Sequence, residues 1–288
     1  MEFYTVYKDP RPVRLCEATR QFAYESLEKH RYGLEAMKTA SLPMDHIEGF
    51  AELTPLEKER HILREIAEKC PIRLIQGERI CGAATLGLAI HHVIPATFGG
   101  NVVFPSVSHL TIDFSMILKE GLNGIRRRVE ASLEVHRGTD REAFLLNCLA
   151  ALDAYKIWHG RYVTALETHA RAVAEDGVLP PCPAFEQTLK NLQRVPMEPP
   201  TSFHEAVQSL WMTFAFVRLM GNWPGIGRLD VLLGKYLEED LNHDVLPLEE
   251  AREILAHFFI KGCEWIRSNT PQATGDAQHY QNLVLAGV

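Results

Sequence analysis

The sequence contains no apolar run near the roughly 20 residues that a membrane-spanning helix needs. Residues 1–4 lack the basic and apolar pattern of a signal peptide, so we expect a cytoplasmic protein. No Lys/Arg run is longer than residues 126–128, and the net charge is -7 with a pI near 6.0. We therefore expect a chain that binds neither nucleic acid nor a membrane.

Cysteine pairs at metal-binding or redox spacing are also missing. The six cysteines are scattered with no C-x-x-C pair, which predicts reduced and mostly buried thiols. His91 and His92 have no spaced carboxylate or third ligand, so we expect no metal site. The composition is that of a globular protein: 288 residues, 46% hydrophobic and 23% charged, enough for one large domain or two small ones.

Helix starts are the clearest local signals. Thr54, Thr139 and Ser202 each precede a glutamate by three residues, which is the spacing of a capping box, and Pro247 opens a further helix. Alternating apolar and polar runs are sparse. We therefore predict a mainly helical fold with a few short parallel strands, the last of them near residues 282–286.

Other segments are less regular. Residues 12–37 carry apolar positions that indicate a helix. Residues 83–112 are rich in Gly, His and Thr without a helical period, which predicts loops and short strands. Asp113 then stands where it would cap the helix that follows.

The stretch after Ser202 has the most distinctive pattern. Its helix carries apolar residues on every face as far as Met220, which indicates a helix that is buried nearly all round. Gly221 ends it, and we interpret residues 222–225 as a short turn before Gly227. A buried helix that leads into a Gly/Pro loop commonly aims side chains into a cavity.

Sequence blocks in this region resemble those of a known family. Residues 203–230 contain Phe-His-Glu-Ala-x-Gln and Gly-Arg-x-Asp, a block similar to that of glycyl radical enzymes, the pyruvate formate-lyase and diol dehydratase superfamily. Residues 108–125 resemble a second block, Gly-His-x-x-x-Asp-Tyr … Leu-x-x-Gly-Leu-x-Gly-Ile, with Ser108 in place of glycine and Phe114 in place of tyrosine. The resemblance covers roughly residues 72 to 288.

The resemblance implies an α/β fold that is mainly helical and forms half of a ten-stranded α/β barrel with surrounding helices. The chain would be the N-terminal part of a pyruvate formate-lyase domain, with a helical region over 1–70 and the half-barrel and outer helices over 71–288. Residues 282–288 resemble one of the parallel barrel strands. That strand carries neither the charge nor the proline that would protect an open edge, which favours a chain cut from a longer enzyme.

The chemistry that the resemblance implies is radical chemistry. Members of the family, which are lyases, acetyltransferases and dehydratases, abstract a hydrogen atom from a small organic substrate with a cysteine thiyl radical. A glycyl radical generates it, and a separate radical-SAM activating enzyme installs that glycyl radical. The sequence has neither the cysteine loop nor the glycine motif, so we expect no catalytic residue and no bound cofactor in this chain. Residues 262–264, Gly-Cys-Glu, differ from the Gly-Cys-x-Glu loop of the dehydratases, because the glutamate directly follows the cysteine. Cys263 also lies within an apolar helical period, which indicates a core position. The complete enzyme is expected to be a homodimer.

Four residues are candidates for substrate binding. Asn222 and Trp223 stand where the dehydratases have a His-Ser pair, and His109 matches the histidine of the second block. Arg228 has the forked donors that bind a carboxylate. Structural alternatives stay open: the first two residues would shape a turn, His109 would be a structural hydrogen-bonding group, and Arg228 would hold Asp230 or a helix end.

The sequence thus predicts the N-terminal part of a glycyl radical enzyme, inactive alone. The alternative is a stand-alone, non-catalytic scaffold or partner subunit derived from the same fold. A generic helical binding domain remains if the matching blocks are coincidental.

Overall fold

The computed structural model confirms a mainly helical fold. It describes residues 14–25, 41–70, 72–82, 96–103, 108–176, 180–219, 223–262 and 283–285. The helices in these ranges are α1 (Glu17–Ala23), α2 (Pro55–Lys69), α3 (Phe114–His136), α4 (Glu142–Asp176), α5 (Pro183–Leu192), α6 (Phe203–Leu219), α7 (Leu229–Asn242) and α8 (Leu248–Gly262). Of the helix predicted over residues 12–37, α1 is described and residues 26–37 lie outside the described residues.

Short strands accompany the helices. They are β1 (Leu42–Pro43), β2 (Ala96–Phe98), β3 (Asn101–Val102), β4 (Ser108–Thr111), β5 (Trp223–Gly225), β6 (Gly227–Arg228) and β7 (Leu283–Val284). The pairs β1–β2, β4–β5 and β6–β7 are parallel, and β2–β3 is antiparallel. The predicted final strand near residues 282–286 is therefore present as β7.

Two of the predicted helix caps form as the sequence indicates. Thr54 Oγ1 accepts a hydrogen bond from Glu57 N at 3.4 Å, while Glu57 accepts one from Thr54 N at 2.9 Å, so α2 has a complete capping box. Asp113 caps α3, since its carboxylate accepts from Met116 N at 3.3 Å. These starts depend only on neighbouring residues.

The prediction at Thr139 needs correction. Helix α4 begins at Glu142, and the residues before it form a turn. Thr139 Oγ1 accepts from Arg141 N at 3.3 Å, and the Glu142 carboxylate accepts from Gly138 N at 2.6 Å. Both side chains of the expected capping box thus satisfy turn amides one residue away from the expected ones, and the helix starts later.

The interpretation of residues 222–225 as a turn also needs correction. Trp223–Gly225 is strand β5, paired with β4. Pro224 cannot donate a ladder hydrogen bond. Strand β5 tolerates a proline because it has one described neighbour, so its other edge forms no ladder among the described residues. Asn222, Met220 and Gly221 lie outside the described residues.

Helix α6 is the centre of the described fold. It packs against α3, α4, α5, α7 and α8, and every residue from 206 to 216 is buried. At its C-terminal half, the Phe216 ring stacks on Tyr155 of α4 with centroids 4.5 Å apart. The predicted all-round burial is confirmed. Within the described ranges, no helix is both long enough and apolar enough to cross a membrane.

Candidate functional site

The two segments that carry the predicted site residues lie side by side. In the parallel pair β4–β5, Ser108 is opposite Trp223 and Thr111 is opposite Gly225, with an irregular register between them. The backbone therefore places His109 and Trp223 on adjacent strands, although 114 positions separate them in sequence. This is the first sign that the two sequence blocks build one region.

Strand β6 approaches the same region. Gly227 has φ +77°, a backbone conformation that residues with a side chain rarely adopt. A Cβ at this position would lie 3.4 Å from Thr111 Cγ2. Glycine at this position therefore meets the backbone requirement of β6, while 3.4 Å is an ordinary van der Waals contact with the end of β4. On its other side β6 pairs with β7, Gly227 opposite Leu283.

Arg228 is exposed and already has a partner. Its Nε and Nη2 donate to the two carboxylate oxygens of Asp230 at 2.8 and 2.6 Å. These hydrogen bonds raise the pKa of Arg228 and lower the pKa of Asp230 to about 2. The fork expected for a substrate carboxylate is occupied by a carboxylate two residues along the chain.

Three polar side chains of helix α6 form hydrogen bonds with the main chain of residues 79–82. His204 Nε2 donates to the first carbonyl of that stretch at 2.7 Å, and Trp211 Nε1 donates to the last at 2.8 Å. Between them, the Gln208 amide accepts from Cys81 N and donates to Cys81 O, both at 2.9 Å. The side chains act as a surrogate strand, because they satisfy buried peptide groups that a sheet would otherwise pair.

Sequence reasoning missed this role for the Phe-His-Glu-Ala-x-Gln block. The spacing of His204, Gln208 and Trp211, at i, i+4 and i+7, places them on one face of α6, which is a visible signal. Their partners are more than a hundred residues upstream and leave no local trace. Burial lowers the pKa of His204, so the imidazole is neutral and serves as a hydrogen-bond donor here.

A buried ion pair lies next to the same main-chain stretch. Lys261 Nζ donates to Glu78 Oε2 at 2.7 Å, with side chains 1% and 0% exposed. The other carboxylate oxygen of Glu78 has no hydrogen-bond partner among the described residues. Burial raises the pKa of Glu78, and Lys261 opposes that rise. Burial, with the Glu78 charge nearby, also raises the pKa of Cys81, which keeps this thiol protonated and inert.

In the described part of the chain, no group of three or more His, Cys, Asp or Glu side chains is arranged to hold a metal ion. The candidate region consists of the parallel strands β4 and β5 and the β6–β7 pair beside them. Helix α6, which holds the main chain of residues 79–82, contacts β5.

Comparison with solved structures identifies the fold. A structure from work on 1,2-propanediol dehydration in Roseburia inulinivorans superimposes with a TM-score of 0.65 at 17% identity, over 88% of this chain and 40% of that one. A structure of a glycyl radical enzyme from Archaeoglobus fulgidus gives a TM-score of 0.61 at 17% identity, over 88% of this chain and 39% of that one. The fold is that of the glycyl radical enzymes.

Sequence comparison identifies the family. Its profile, described as Pyruvate formate lyase-like, matches residues 87–288, and the chain belongs to this family. The indoleacetate decarboxylase of Tractidigestivibacter scatoligenes is 29% identical over 176 residues, which are 60% of this chain and 19% of that protein. The isethionate sulfite-lyase of Bilophila wadsworthia is 27% identical over 190 residues, 61% of this chain and 22% of that protein. The chain thus matches about a fifth of the length of these relatives.

Proposed function

We propose that the chain is the N-terminal part of a glycyl radical enzyme that acts as a lyase or dehydratase on a small organic substrate. The observation that carries this proposal is the parallel pairing of β4 with β5, because it joins the two sequence blocks that resemble the family. We further propose that residues 71–288 form half of the α/β barrel with its outer helices. Residues 1–70 form a helical region before it.

In this proposal the chain binds and positions the substrate, and other parts of the enzyme supply the residues that react with it. A glycyl radical installed by a radical-SAM activating enzyme supplies the radical, and the thiol that abstracts hydrogen lies outside these 288 residues. The chain alone is inactive, because it has neither group. The complete enzyme is a cytoplasmic homodimer.

Substrate binding is assigned to residues at the strand ends. Asn222, Trp223 and His109 line one cavity, and Arg228 lies at its edge. The backbone pairing of β4 and β5 supports His109 and Trp223 as neighbours, and Asn222 precedes Trp223 in the sequence. The bond from Arg228 to Asp230 makes Arg228 the weakest member of the set, since a substrate carboxylate would have to compete with an existing bidentate pair.

The test is Trp223→Ser in the full-length enzyme, assayed against a panel of small hydroxylated and anionic substrates. We expect a wider cavity, a changed order of preference among substrates, and thermal stability close to that of the wild type. Trp158→Ser is the matched control, since Trp158 is fully buried between Tyr155 and Tyr162 and should lose stability. If Trp223→Ser loses as much stability as the control and keeps its selectivity, Trp223 is a core residue and the assignment fails.

A further inference from the structure

We propose that a cavity between α1, the turn at residues 76–79, the start of α5, and α8 binds a small zwitterionic molecule of the α-amino-acid class. The cavity has a volume of about 560 Å³. That volume lies within the roughly 300–1,000 Å³ typical of small-molecule sites. No residue of β4, β5 or β6 lines it, so this site is separate from the proposed substrate cavity.

The charges on the cavity wall favour a zwitterion. Arg79 and Glu250 both line it and form an ion pair, with side chains 25% and 40% exposed, so a ligand can reach either one. Glu250 would repel an anion that binds to Arg79, and Arg79 would repel a cation that binds to Glu250. A molecule with a carboxylate and an ammonium group pairs with both side chains at once.

The two histidines in the wall do not change this charge balance. Burial lowers the pKa of His204, and burial together with the nearby Arg79 and Lys261 lowers the pKa of His257 to about 3. Both imidazoles are therefore neutral at pH 7. The remaining polar lining residues, among them Gln76 and Gln187, are uncharged donors and acceptors.

Helix α1 forms one wall and is held there by α8. Cys16 N donates to Glu253 at 2.7 Å, Thr19 Oγ1 lies 3.3 Å from His257 Nε2, and the Phe22 ring stacks on His257 with centroids 4.3 Å apart. Because Ala18 and Thr19 of α1 line the cavity, a bound ligand would add contacts to this helix. Ligand binding should therefore slow the opening of α1.

The experiment is isothermal titration calorimetry of the 288-residue chain with L-serine, with acetate and methylammonium as single-charge probes. We expect saturable binding of L-serine that is at least tenfold tighter than that of either single-charge probe. Arg79→Gln and Glu250→Gln should each weaken binding at least tenfold. Arg64→Gln is the matched control, because Arg64, 71% exposed on α2, pairs with Glu68 at 2.8 Å and its replacement should leave binding unchanged.

A second variant protects the test against misfolding at the ion pair. Ala18→Trp fills the cavity from an exposed position on α1 and leaves both charges in place. It should abolish L-serine binding, while in the wild type L-serine should slow amide hydrogen exchange in α1. Absence of saturable L-serine binding, acetate binding as tight as L-serine binding, or unchanged binding in Ala18→Trp would each overturn the proposal.

Discussion

Replacing Lys261 with methionine tests the energetics of the buried pair beside the main chain that α6 holds. Methionine keeps an unbranched chain but removes the cation that is hydrogen-bonded to Glu78, whose side chain is 0% exposed. Arg73, whose charge lowers the pKa of Glu78 less than that of Lys261 does, remains. The carboxyl group can avoid a buried charge only by taking up a proton. The ordinary carboxyl pKa is 4.5, and pH 7 lies about 2.5 units above it, so uptake costs about 3.4 kcal/mol at roughly 1.36 kcal/mol per unit. We expect Lys261→Met to lose about 3 kcal/mol of unfolding free energy at pH 7.

The pH dependence follows from the same proton. Burial raises the pKa of Glu78, and Lys261→Met removes the charge that most opposes this rise, so we expect Glu78 to be protonated in the folded variant and ionised in the unfolded chain above pH 4.5. The folded state then binds more protons than the unfolded state, so stability falls as pH rises from 4.5 toward the raised folded pKa. At pH 5 the loss should shrink to about 0.7 kcal/mol, since only half a unit separates that pH from the ordinary pKa.

Urea unfolding followed by circular dichroism at pH 5, 6 and 7 measures both effects. Glu78→Gln added to Lys261→Met should recover most of the loss, because a neutral amide needs no proton. Lys69→Met is the control: this lysine, 49% exposed, pairs with Glu65 on α2, and its loss should cost under about 1 kcal/mol. A loss in Lys261→Met below about 1 kcal/mol at pH 7, or one equal at pH 5 and pH 7, would refute the reasoning.

Three further substitutions test backbone features of the fold by urea unfolding. Gly121 breaks α3 with φ +62°, and a Cβ there would lie 2.5 Å from the Met197 carbonyl oxygen, so Gly121→Ala should cost about 3 kcal/mol or more. Gly160 has open space around it on α4, and Gly160→Ala should gain about 0.5–1 kcal/mol; equal effects at the two glycines would contradict the packing argument. Gln208→Leu leaves both peptide groups of Cys81 unpaired and should cost about 2–4 kcal/mol, whereas a cost under 1 kcal/mol would mean that other groups satisfy them.

Features that depend on neighbouring residues could be predicted from the sequence. The capping box at Thr54, the cap at Asp113 and the burial of α6 needed only local spacing and apolar content. The Arg228–Asp230 pair was also within local reach, since the two residues are two positions apart in the sequence. Sequence alone could not decide whether Arg228 pairs with Asp230 or is free to bind a substrate carboxylate.

Features that depend on distant partners could not be predicted in the same way. Trp223–Gly225 is a strand only because β4, more than a hundred residues upstream, lies beside it. The roles of Gln208 and Trp211 depend on carbonyl and amide groups 127 and 129 positions away. Residue type and helical spacing show that a polar face exists on a buried helix, and only the tertiary structure shows what it binds.

The central claim is that this chain is part of a glycyl radical enzyme and carries no radical itself. Electron paramagnetic resonance after anaerobic incubation with a radical-SAM activase tests it, on the 288-residue chain and on the product of the whole reading frame that contains it. We predict a glycyl doublet in the complete product and no signal in the chain alone. A doublet from the chain alone, or none from the complete product, would contradict the claim.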